Sequence, residues 1–342
     1  MQVTTRVFDL PLRHPFTISR GTVRVQRTWI VELEEDGLVG RGEATVNPYY
    51  DATVEGMEKA LGTVIEDLVL SRLEHPAEWW QRLDDRLKHY RFAQSAIDCA
   101  LWDLWGQRCG QPTWKAMGID SCRGPVSCYT IGIDTPEVMV EKLRQMPGWP
   151  IYKVKVGTPS DQEVLALLRR ETDRPFRVDA NCGWKPDQVR ETIDRLVPLG
   201  VELVEQPVAP DLSGCLIPIK DDSSLPLMAD ESCEEESDVD RCADRFHAIN
   251  IKLVKCGGLT PGLRMARRAK ELGLKVMVGC MTESSVGISA AAQLLGLLDF
   301  ADLDGAVLLA EDIAKGVQVE FGRVVFPDKQ GLGIEMLPED PI

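Results

Sequence analysis

Three acidic residues recur along the second half of the chain at nearly constant intervals. Asp179, Glu205 and Asp230 lie about one strand-plus-helix unit apart, and each ends a short apolar run typical of a buried strand. Three carboxylates brought to one place repel one another unless a hard cation joins them, and Mg²⁺ prefers such oxygen ligands. The spacing therefore predicts a magnesium site, although any one of the three taken alone is better explained as the partner of a lysine or the cap of a loop.

Three lysines bracket these carboxylates in the sequence. Lys153 and Lys155 are two residues apart in a predicted strand and share one face of it. Crowding two ammonium groups is expected to lower the pKa of each and to leave one as a usable base. Lys252 follows the predicted strand that lies four strands after the one containing Lys155, across the mouth of the same site. Lysines on both sides of a planar enolate suit a racemase or epimerase, whereas a single-base elimination needs only one. The alternative is that both lysines only neutralise the carboxylates.

These residues require a frame that brings the ends of successive strands together. From about residue 126, short β-rich runs alternate with helical patterns such as Gln162–Thr172, Pro186–Leu199 and Gly262–Leu272. The β-rich runs are Ser127–Ile133, Ile151–Val156, Phe176–Asp179, Val201–Glu205, Leu227–Asp230, Ala248–Lys252, Lys275–Gly279 and Asp299–Leu303. This alternation predicts an α/β fold with a parallel (β/α)₈ TIM barrel over 126–305. The charged residues then lie at the carboxyl ends of the strands, the rim that holds the active site in such barrels.

The first 125 residues follow a different pattern. They are expected to form an antiparallel meander, in which Asp36-Gly37 is a hairpin turn, followed by three helices. The strands are Val3–Leu10, Arg24–Glu34 and Leu38–Ala44, and the helices are Ala52–Val69, Ala77–His89 and Gln94–Arg108. The tail, 306–342, is expected to form a hairpin of Val317–Glu320 and Arg323–Phe326 and to pack against this first region.

Composition excludes several classes of function. The chain has 342 residues and a net charge of −15, so its own field repels nucleic acid and anionic membranes. No apolar run is long enough to cross a bilayer. Ten cysteines without a CxxC pair predict reduced thiols in a cytoplasmic protein, and four scattered histidines make a zinc site improbable. The chain is expected to act on a small molecule and to form a homo-oligomer, because symmetric homo-oligomers are common.

The motifs around the charged residues, taken together and in order, resemble the enolase superfamily in the branch typified by muconate-lactonizing enzyme. They are Lys153-Val154-Lys155, Val178-Asp179-Ala180-Asn181, Val204-Glu205-Gln206-Pro207, Ala229-Asp230-Glu231-Ser232, and Ile251-Lys252 followed by Lys255-Cys256-Gly257-Gly258. The resemblance implies a modified barrel under an α+β capping domain, formed by 1–125 and the tail. It also implies one Mg²⁺ per subunit on Asp179, Glu205 and Asp230. It further implies abstraction of a proton α to a carboxylate, with Lys155 and Lys252 as the bases.

Asp302 and Asp304 refine this resemblance. Two residues apart in a strand, they face the same way, and a pair of anions suits an ammonium group. The pair resembles the dipeptide epimerases, typified by L-Ala-D/L-Glu epimerase, in which it binds the α-amino group of the dipeptide. The alternative is a loop turn or contacts with cationic neighbours. Met281-Thr282-Glu283-Ser284 is also similar to that family, whose backbone groups near this segment help to hold the substrate.

The remaining expected site residues lie around this centre. The first mobile capping loop of the family corresponds to about Pro15–Val25, where Arg20 or Arg24 is a candidate contact for the substrate side chain. A second loop, Val46–Asp51, contains Tyr49 and Tyr50, which either close over the substrate or simply pack. Lys153 is expected to contact the substrate, and Asn181 and Glu231 are expected to support ligands or lysines. Lys255 is expected to lie against a neighbouring helix or behind the site. Gly40 and Gly42 are expected to allow movement.

The sequence leaves other functions open. N-acylamino acid racemase, o-succinylbenzoate synthase and cycloisomerase would use the same centre, but their substrates lack the free ammonium that Asp302 and Asp304 suit. A non-catalytic barrel that only binds a partner is a further alternative. The dipeptide side chains are not fixed by the sequence.

Overall fold

The computed structural model describes residues 1–338 and begins with an antiparallel sheet. Strands β1 (Gln2–Ile18), β2 (Gly21–Glu35) and β3 (Leu38–Thr45) pair in sequence order. The turn between β2 and β3 is the predicted Asp36-Gly37 pair, and both residues have positive φ, as a tight hairpin turn of this kind requires. Residues 15–25, expected to be a mobile loop, instead continue β1 and β2 as a paired hairpin, with Ile18 opposite Gly21.

Four helices follow the sheet, and one of them approaches it closely at two glycines of β3. They are α1 (Val54–Leu70), α2 (Pro76–Leu87), α3 (Arg91–Arg108) and α4 (Thr113–Ala116). Gly40 and Gly42 of β3 lie against the backbone of α3, where a Cβ at Gly42 would meet the carbonyl oxygen of Ala96 at 1.9 Å. The expectation that these glycines provide movement is therefore replaced by a packing role, because they let strand and helix approach closely.

The remainder forms the predicted barrel. Eight parallel strands are hydrogen-bonded in order from β4 to β11, and a single bridge between Ser127 and Ala301 nearly closes the sheet. The strands are β4 (Tyr129–Ile131), β5 (Tyr152–Lys155), β6 (Phe176–Asp179), β7 (Val201–Glu205), β8 (Leu227–Ala229), β9 (Ala248–Ile251), β10 (Lys275–Gly279) and β11 (Phe300–Asp302). The α/β barrel with an antiparallel cap is thus confirmed.

Helices cover the outside of the barrel and differ in length. They are α5 (Pro136–Gln145), α6 (Asp161–Glu171), α7 (Val189–Leu196), α8 (Ile217–Lys220), α9 (Asp238–Cys242), α10 (Leu253–Cys256), α11 (Leu259–Glu271) and α12 (Ser285–Ala292). After β11 the described chain forms a short 3₁₀ turn, Gly305–Leu308, in place of a further α-helix. Among residues 1–338, no helix is long and apolar enough to cross a membrane.

The tail returns to the first part of the chain. Its strands are β12 (Ala314–Lys315), β13 (Gln318–Glu320), β14 (Arg323–Val325) and β15 (Glu335–Met336), and β13 and β14 form the expected hairpin. Asp103 of α3 accepts a hydrogen bond from the Leu332 N–H at 2.7 Å. The division into a capping unit of 1–125 with the tail 306–342 and a barrel of 126–305 stays a prediction, and residues 339–342 of it lie outside the described part.

Candidate active site

Three buried carboxylates converge at the carboxyl ends of neighbouring barrel strands. Asp179 and Glu205 are the last residues of β6 and β7 and lie side by side in register, and Asp230 directly follows β8. One oxygen from each lies within 4.8 Å of the others. Burial, with further contributions from Asp179 and Asp230, raises the pKa of Glu205 to about 7 although Lys153 opposes the shift. Three buried carboxylate oxygens this close together fit a hard divalent cation such as Mg²⁺.

Ammonium groups compensate the negative charge of these carboxylates. Lys153 contacts Glu205 at 2.8 Å, Asp179 at 3.2 Å and Asp302 at 2.7 Å. Burial lowers the pKa of Lys153, but the surrounding carboxylates outweigh burial and the net shift is upward. The expectation that crowding lowers the pKa of this lysine was wrong, because neighbouring anions dominate over the nearby lysine.

Lys155 and Lys252 approach the carboxylates from opposite sides. Lys155 Nζ lies 2.6 Å from Asp179 Oδ2, and Lys252 Nζ lies 2.8 Å from Asp230 Oδ2. The two lysines belong to strand ends four positions apart around the barrel. Both line a cavity of about 340 Å³ between the rim and the cap. A planar substrate intermediate placed between them would present one face to each ammonium or amine.

Asp302 and Asp304 form the far wall of this cavity. Asp302 Oδ2 is 2.7 Å from Lys153 Nζ, so the alternative of a contact with a cationic neighbour applies to this residue. Asp304 accepts a hydrogen bond from the Thr130 N–H at 2.5 Å. Burial raises the pKa of Asp304 to about 7, with Asp302 adding to the shift. Both aspartates line the cavity, where they can receive hydrogen-bond donors from a ligand.

The hairpin of β1 and β2 covers the opposite end of the cavity through Arg20. The guanidinium lies 2.8 Å from Glu231 Oε1, donates to the Asn181 carbonyl at 3.2 Å and stacks 4.2 Å from the ring centre of Tyr49. Arg24, the other candidate in this segment, is exposed and is not among the residues that line the cavity. The structure therefore brings one of the two candidate arginines to the site.

Most predicted site residues meet in this one cavity. Those that line it are Lys153, Lys155, Asp230, Lys252, Asp302, Asp304, Met281, Arg20, Tyr49, Tyr50 and Asn181. Asp179 and Glu205 are buried beside it. Glu231 lines an adjoining cleft and holds both Arg20 and, at 3.2 Å, the side-chain amide of Asn181.

Three partners of the carboxylates were missed or left unspecified by sequence reasoning. Asn250 donates to Glu205 at 2.9 Å, and the Gln206 side-chain carbonyl accepts from the Asp230 N–H at 2.9 Å. Lys255 donates to Asp230 Oδ1 at 2.6 Å and to the Asp230 carbonyl at 2.5 Å. The contact of Asn250 could have been predicted, because Asn250 is a polar residue inside an apolar strand. The contacts of Gln206 and Lys255 could not, because they depend on the directions of the side chains.

Comparisons with known proteins give consistent matches along the chain. Residues 2–118 match the family described as mandelate racemase / muconate lactonizing enzyme, N-terminal domain, and residues 138–340 match the enolase C-terminal domain-like family. An L-Ala-D/L-amino acid epimerase of Flavobacterium johnsoniae is 45% identical over 337 residues, which cover 98% of this chain and 100% of the relative.

Solved structures extend these matches to the fold. A substrate-liganded L-Ala-D/L-Glu epimerase of Bacillus subtilis has a TM-score of 0.91 and 28% identity, with 98% of each chain covered. A dipeptide epimerase of Enterococcus faecalis, complexed with Mg and the dipeptide L-Leu-L-Tyr, has a TM-score of 0.89 and 30% identity, with 97% of this chain and 98% of that chain covered.

Proposed function

This chain belongs to the mandelate racemase / muconate lactonizing enzyme family, and we propose that it is a Mg²⁺-dependent dipeptide epimerase that inverts the α-carbon of the C-terminal residue. The observation that carries the proposal is the cavity in which Lys155 and Lys252 face each other across a buried carboxylate triad, with Asp302 and Asp304 at one end. Its similarity to an L-Ala-D/L-amino acid epimerase supports the same assignment.

In the proposed mechanism, the substrate lies between the two lysines. Asp179, Glu205 and Asp230 would hold one Mg²⁺, which supplies positive charge that stabilises the charge developing on the substrate carboxylate. One lysine, as the neutral amine, takes the α-proton from its face, and the other, as the ammonium, returns a proton to the opposite face. Asp302 and Asp304 would receive the α-amino group of the dipeptide, and Lys153 would contact the substrate while balancing Asp302.

The substrate is further enclosed by the cap in this proposal. Arg20, Tyr50 and Met281 would contact the substrate, and Asn181 and Glu231 would hold Arg20 and the rim loops in place. Arg24 has no such position in the structure. We also propose that the protein is cytoplasmic, because the ten cysteines are free thiols, and that it has no nucleic-acid or membrane partner, because the net charge is −15. A homo-oligomer is proposed because symmetric homo-oligomers are common.

The test is proton NMR in D₂O with Mg²⁺ and a set of dipeptides that includes L-Ala-L-Glu. The wild type should replace the α-proton of the C-terminal residue with deuterium and produce the epimer. Lys155→Ala and Lys252→Ala should each fail to epimerise, whereas Lys275→Ala, an exposed lysine at the other end of the barrel, should retain activity. Epimerisation by either site variant at the wild-type rate would contradict the two-base mechanism.

A second candidate is a racemase of N-acylamino acids, or an o-succinylbenzoate synthase or cycloisomerase, on the same centre. The contact of Asp302 with Lys153 favours this second candidate, because the contact reduces the negative charge available to bind a substrate ammonium group. Asp304→Asn separates the two functions. It should lower kcat/KM for a dipeptide by about 10- to 100-fold, as expected for loss of a charged hydrogen bond, and spare an N-acylated substrate. Equal dipeptide activity would favour the second candidate.

A further inference from the structure

Two carboxyl groups outside the catalytic contacts meet where the cap rests on the barrel. Glu43 belongs to β3, and Glu283 belongs to the loop between β10 and α12. They are 3% and 6% exposed, and among residues 1–338 neither forms an ion pair with a lysine or an arginine. Burial of two neighbouring carboxyl groups without a cation disfavours ionisation of both.

Glu43 is surrounded by hydrogen-bond donors. It accepts from the Thr28 hydroxyl at 2.7 Å, from the Ser284 N–H and hydroxyl at 3.1 and 2.5 Å, and from the Gly287 N–H at 2.8 Å. Two of these donors are backbone groups at the start of α12. Burial raises the pKa of Glu43 above its ordinary value, but these four donors oppose the shift, so Glu43 is the member of the pair that is better able to hold a negative charge.

Glu283 has a different environment. Its Oε1 accepts from the Met281 N–H at 2.8 Å, and its other oxygen occupies space left by Gly287, where a Cβ would lie 1.9 Å away. Burial, with Glu43 adding to the shift, raises the pKa of Glu283 to about 8. The other charged or titratable groups that face it are Lys252, at the end of β9, and Cys280, at the end of β10.

The segment held by Glu283 forms part of the substrate cavity. Met281 and Thr282 both line it, and Asn47 of the cap donates to the Met281 sulfur at 3.7 Å. Gly305 packs against the Met281 carbonyl, so this segment is fixed from one side by the chain after β11 and from the other by Glu283. A change at Glu283 therefore reaches the cavity wall directly.

We propose that Glu283 is a positioning residue that holds the Met281–Thr282 wall as a neutral carboxylic acid beside ionised Glu43, and that release of its proton to solvent displaces this wall and weakens substrate binding. The expected effect on substrate binding rests on the proposed function, whereas the displacement of the wall does not. The displacement follows from repulsion between two buried carboxylates and does not involve the metal ligands.

The experiment compares the wild type with Glu283→Gln, which keeps an acceptor for the Met281 N–H but cannot ionise. KM is measured against pH with a dipeptide that the wild type epimerises. The amino group of the dipeptide also titrates near pH 8, so the readout is the ratio of wild-type KM to variant KM at each pH. At a pH of about 9 roughly one Glu283 in ten keeps its proton, and the ratio should be about tenfold larger than at a pH of about 6.5.

The kinetic outcomes are distinct. kcat should differ little between the two proteins at the same pH, because the chemical groups are unchanged. Glu311→Gln, the same substitution at an exposed residue, should follow the wild type. A ratio that stays constant with pH would overturn the proposal.

A second readout is independent of activity. With ¹³C-methyl methionine, the Met281 resonance, assigned by its loss in Met281→Leu, should shift with a midpoint near pH 8 in the wild type and stay fixed in Glu283→Gln. If the wild type epimerises no dipeptide, the proposed function fails while this shift still supports the positioning role. A Met281 resonance that does not respond to pH would overturn that role whether or not the enzyme is active.

Discussion

Asp230 is the most heavily supported carboxylate of the site. Lys252 and Lys255 contact its two side-chain oxygens, and Gln206 accepts from its N–H. Lys252 faces the cavity, whereas Lys255 is fully buried behind the carboxylate and also donates to the Cys233 carbonyl at 3.1 Å. The two lysines therefore have separate tasks, and Lys255 orients the carboxylate without facing the substrate.

This division of tasks predicts the effect of Lys255→Met. Loss of the orienting ammonium should weaken Mg²⁺ binding by about 10- to 100-fold, as is usual for groups that orient a metal ligand. Isothermal titration calorimetry measures the affinity directly. Lys275→Met serves as the control because Lys275 is exposed and pairs with Asp299 away from the rim. Unchanged affinity in Lys255→Met would show that Asp230 is held by its other partners.

At this scale the sequence predicted the charged groups that meet at the rim, with Asn181 and Glu231 as supports beside them, but not the contacts of Asn250 and Gln206 with the carboxylates. Asp179, Glu205, Asp230 and the lysines follow from strand spacing, since parallel strands of a barrel end at one rim. The sequence did not predict which of the two candidate arginines, Arg20 or Arg24, reaches the cavity. Arg20 is at the hairpin turn, whereas Arg24 lies in β2 with its side chain exposed, and that difference depends on the exact pairing of β1 with β2.

The contact between β3 and α3 is a close strand–helix approach within the cap. A Cβ at Gly42 would meet backbone atoms of Ala96, which cannot move aside as a flexible side chain would. This packing also fixes Glu43, the residue after Gly42, which enters the interface with the barrel. The sequence showed the strand and the helix but not their separation, because a glycine in a strand is equally typical of a bulge or a close approach.

A pair of glycine substitutions tests this interpretation. Gly42→Ala should lower the free energy of unfolding by about 1–3 kcal/mol or more, because it overpacks a rigid contact. Gly62→Ala, in α1 with open space around its Cβ, should instead raise it by roughly 0.5–1 kcal/mol, because alanine favours the helix. Urea unfolding followed by circular dichroism measures both. A Gly42→Ala protein as stable as the wild type would mean that β3 and α3 can separate without loss.

The cap and the barrel are joined through buried polar contacts as well as through apolar packing. Asp98 of α3 accepts from the Thr260 N–H and hydroxyl at 2.8 and 2.6 Å, and Trp102 donates to the same hydroxyl at 2.8 Å. Glu43 reaches the start of α12, and the tail returns to Asp103. Because these contacts join residues that are far apart in the sequence, local sequence patterns do not predict them even where the fold is predicted correctly.

We expect this coupling to make the molecule unfold as one unit. Differential scanning calorimetry should give a single transition whose calorimetric and van't Hoff enthalpies agree, because opening the interface removes the Thr260 donors of Asp98 and the Ser284 and Gly287 donors of Glu43. Mg²⁺ should raise the midpoint as its concentration increases, since the unfolded chain has no assembled site. Two resolved transitions would indicate that cap and barrel are energetically independent.

The balance of buried charge at the rim also constrains how the sequence can change during evolution. Asp179, Glu205, Asp230, Asp302 and Asp304 share their surroundings with Lys153, Lys155, Lys252 and Lys255, and none is more than 8% exposed. Loss of one partner of a buried pair removes about 3–5 kcal/mol, a large part of the stability of a typical protein. A single replacement in this set is therefore costly, and compensated double replacements are favoured. Apart from Arg20, which pairs with the buried Glu231, the exposed residues at the tip of the β1–β2 hairpin carry no such constraint, so changes of substrate should arise there first.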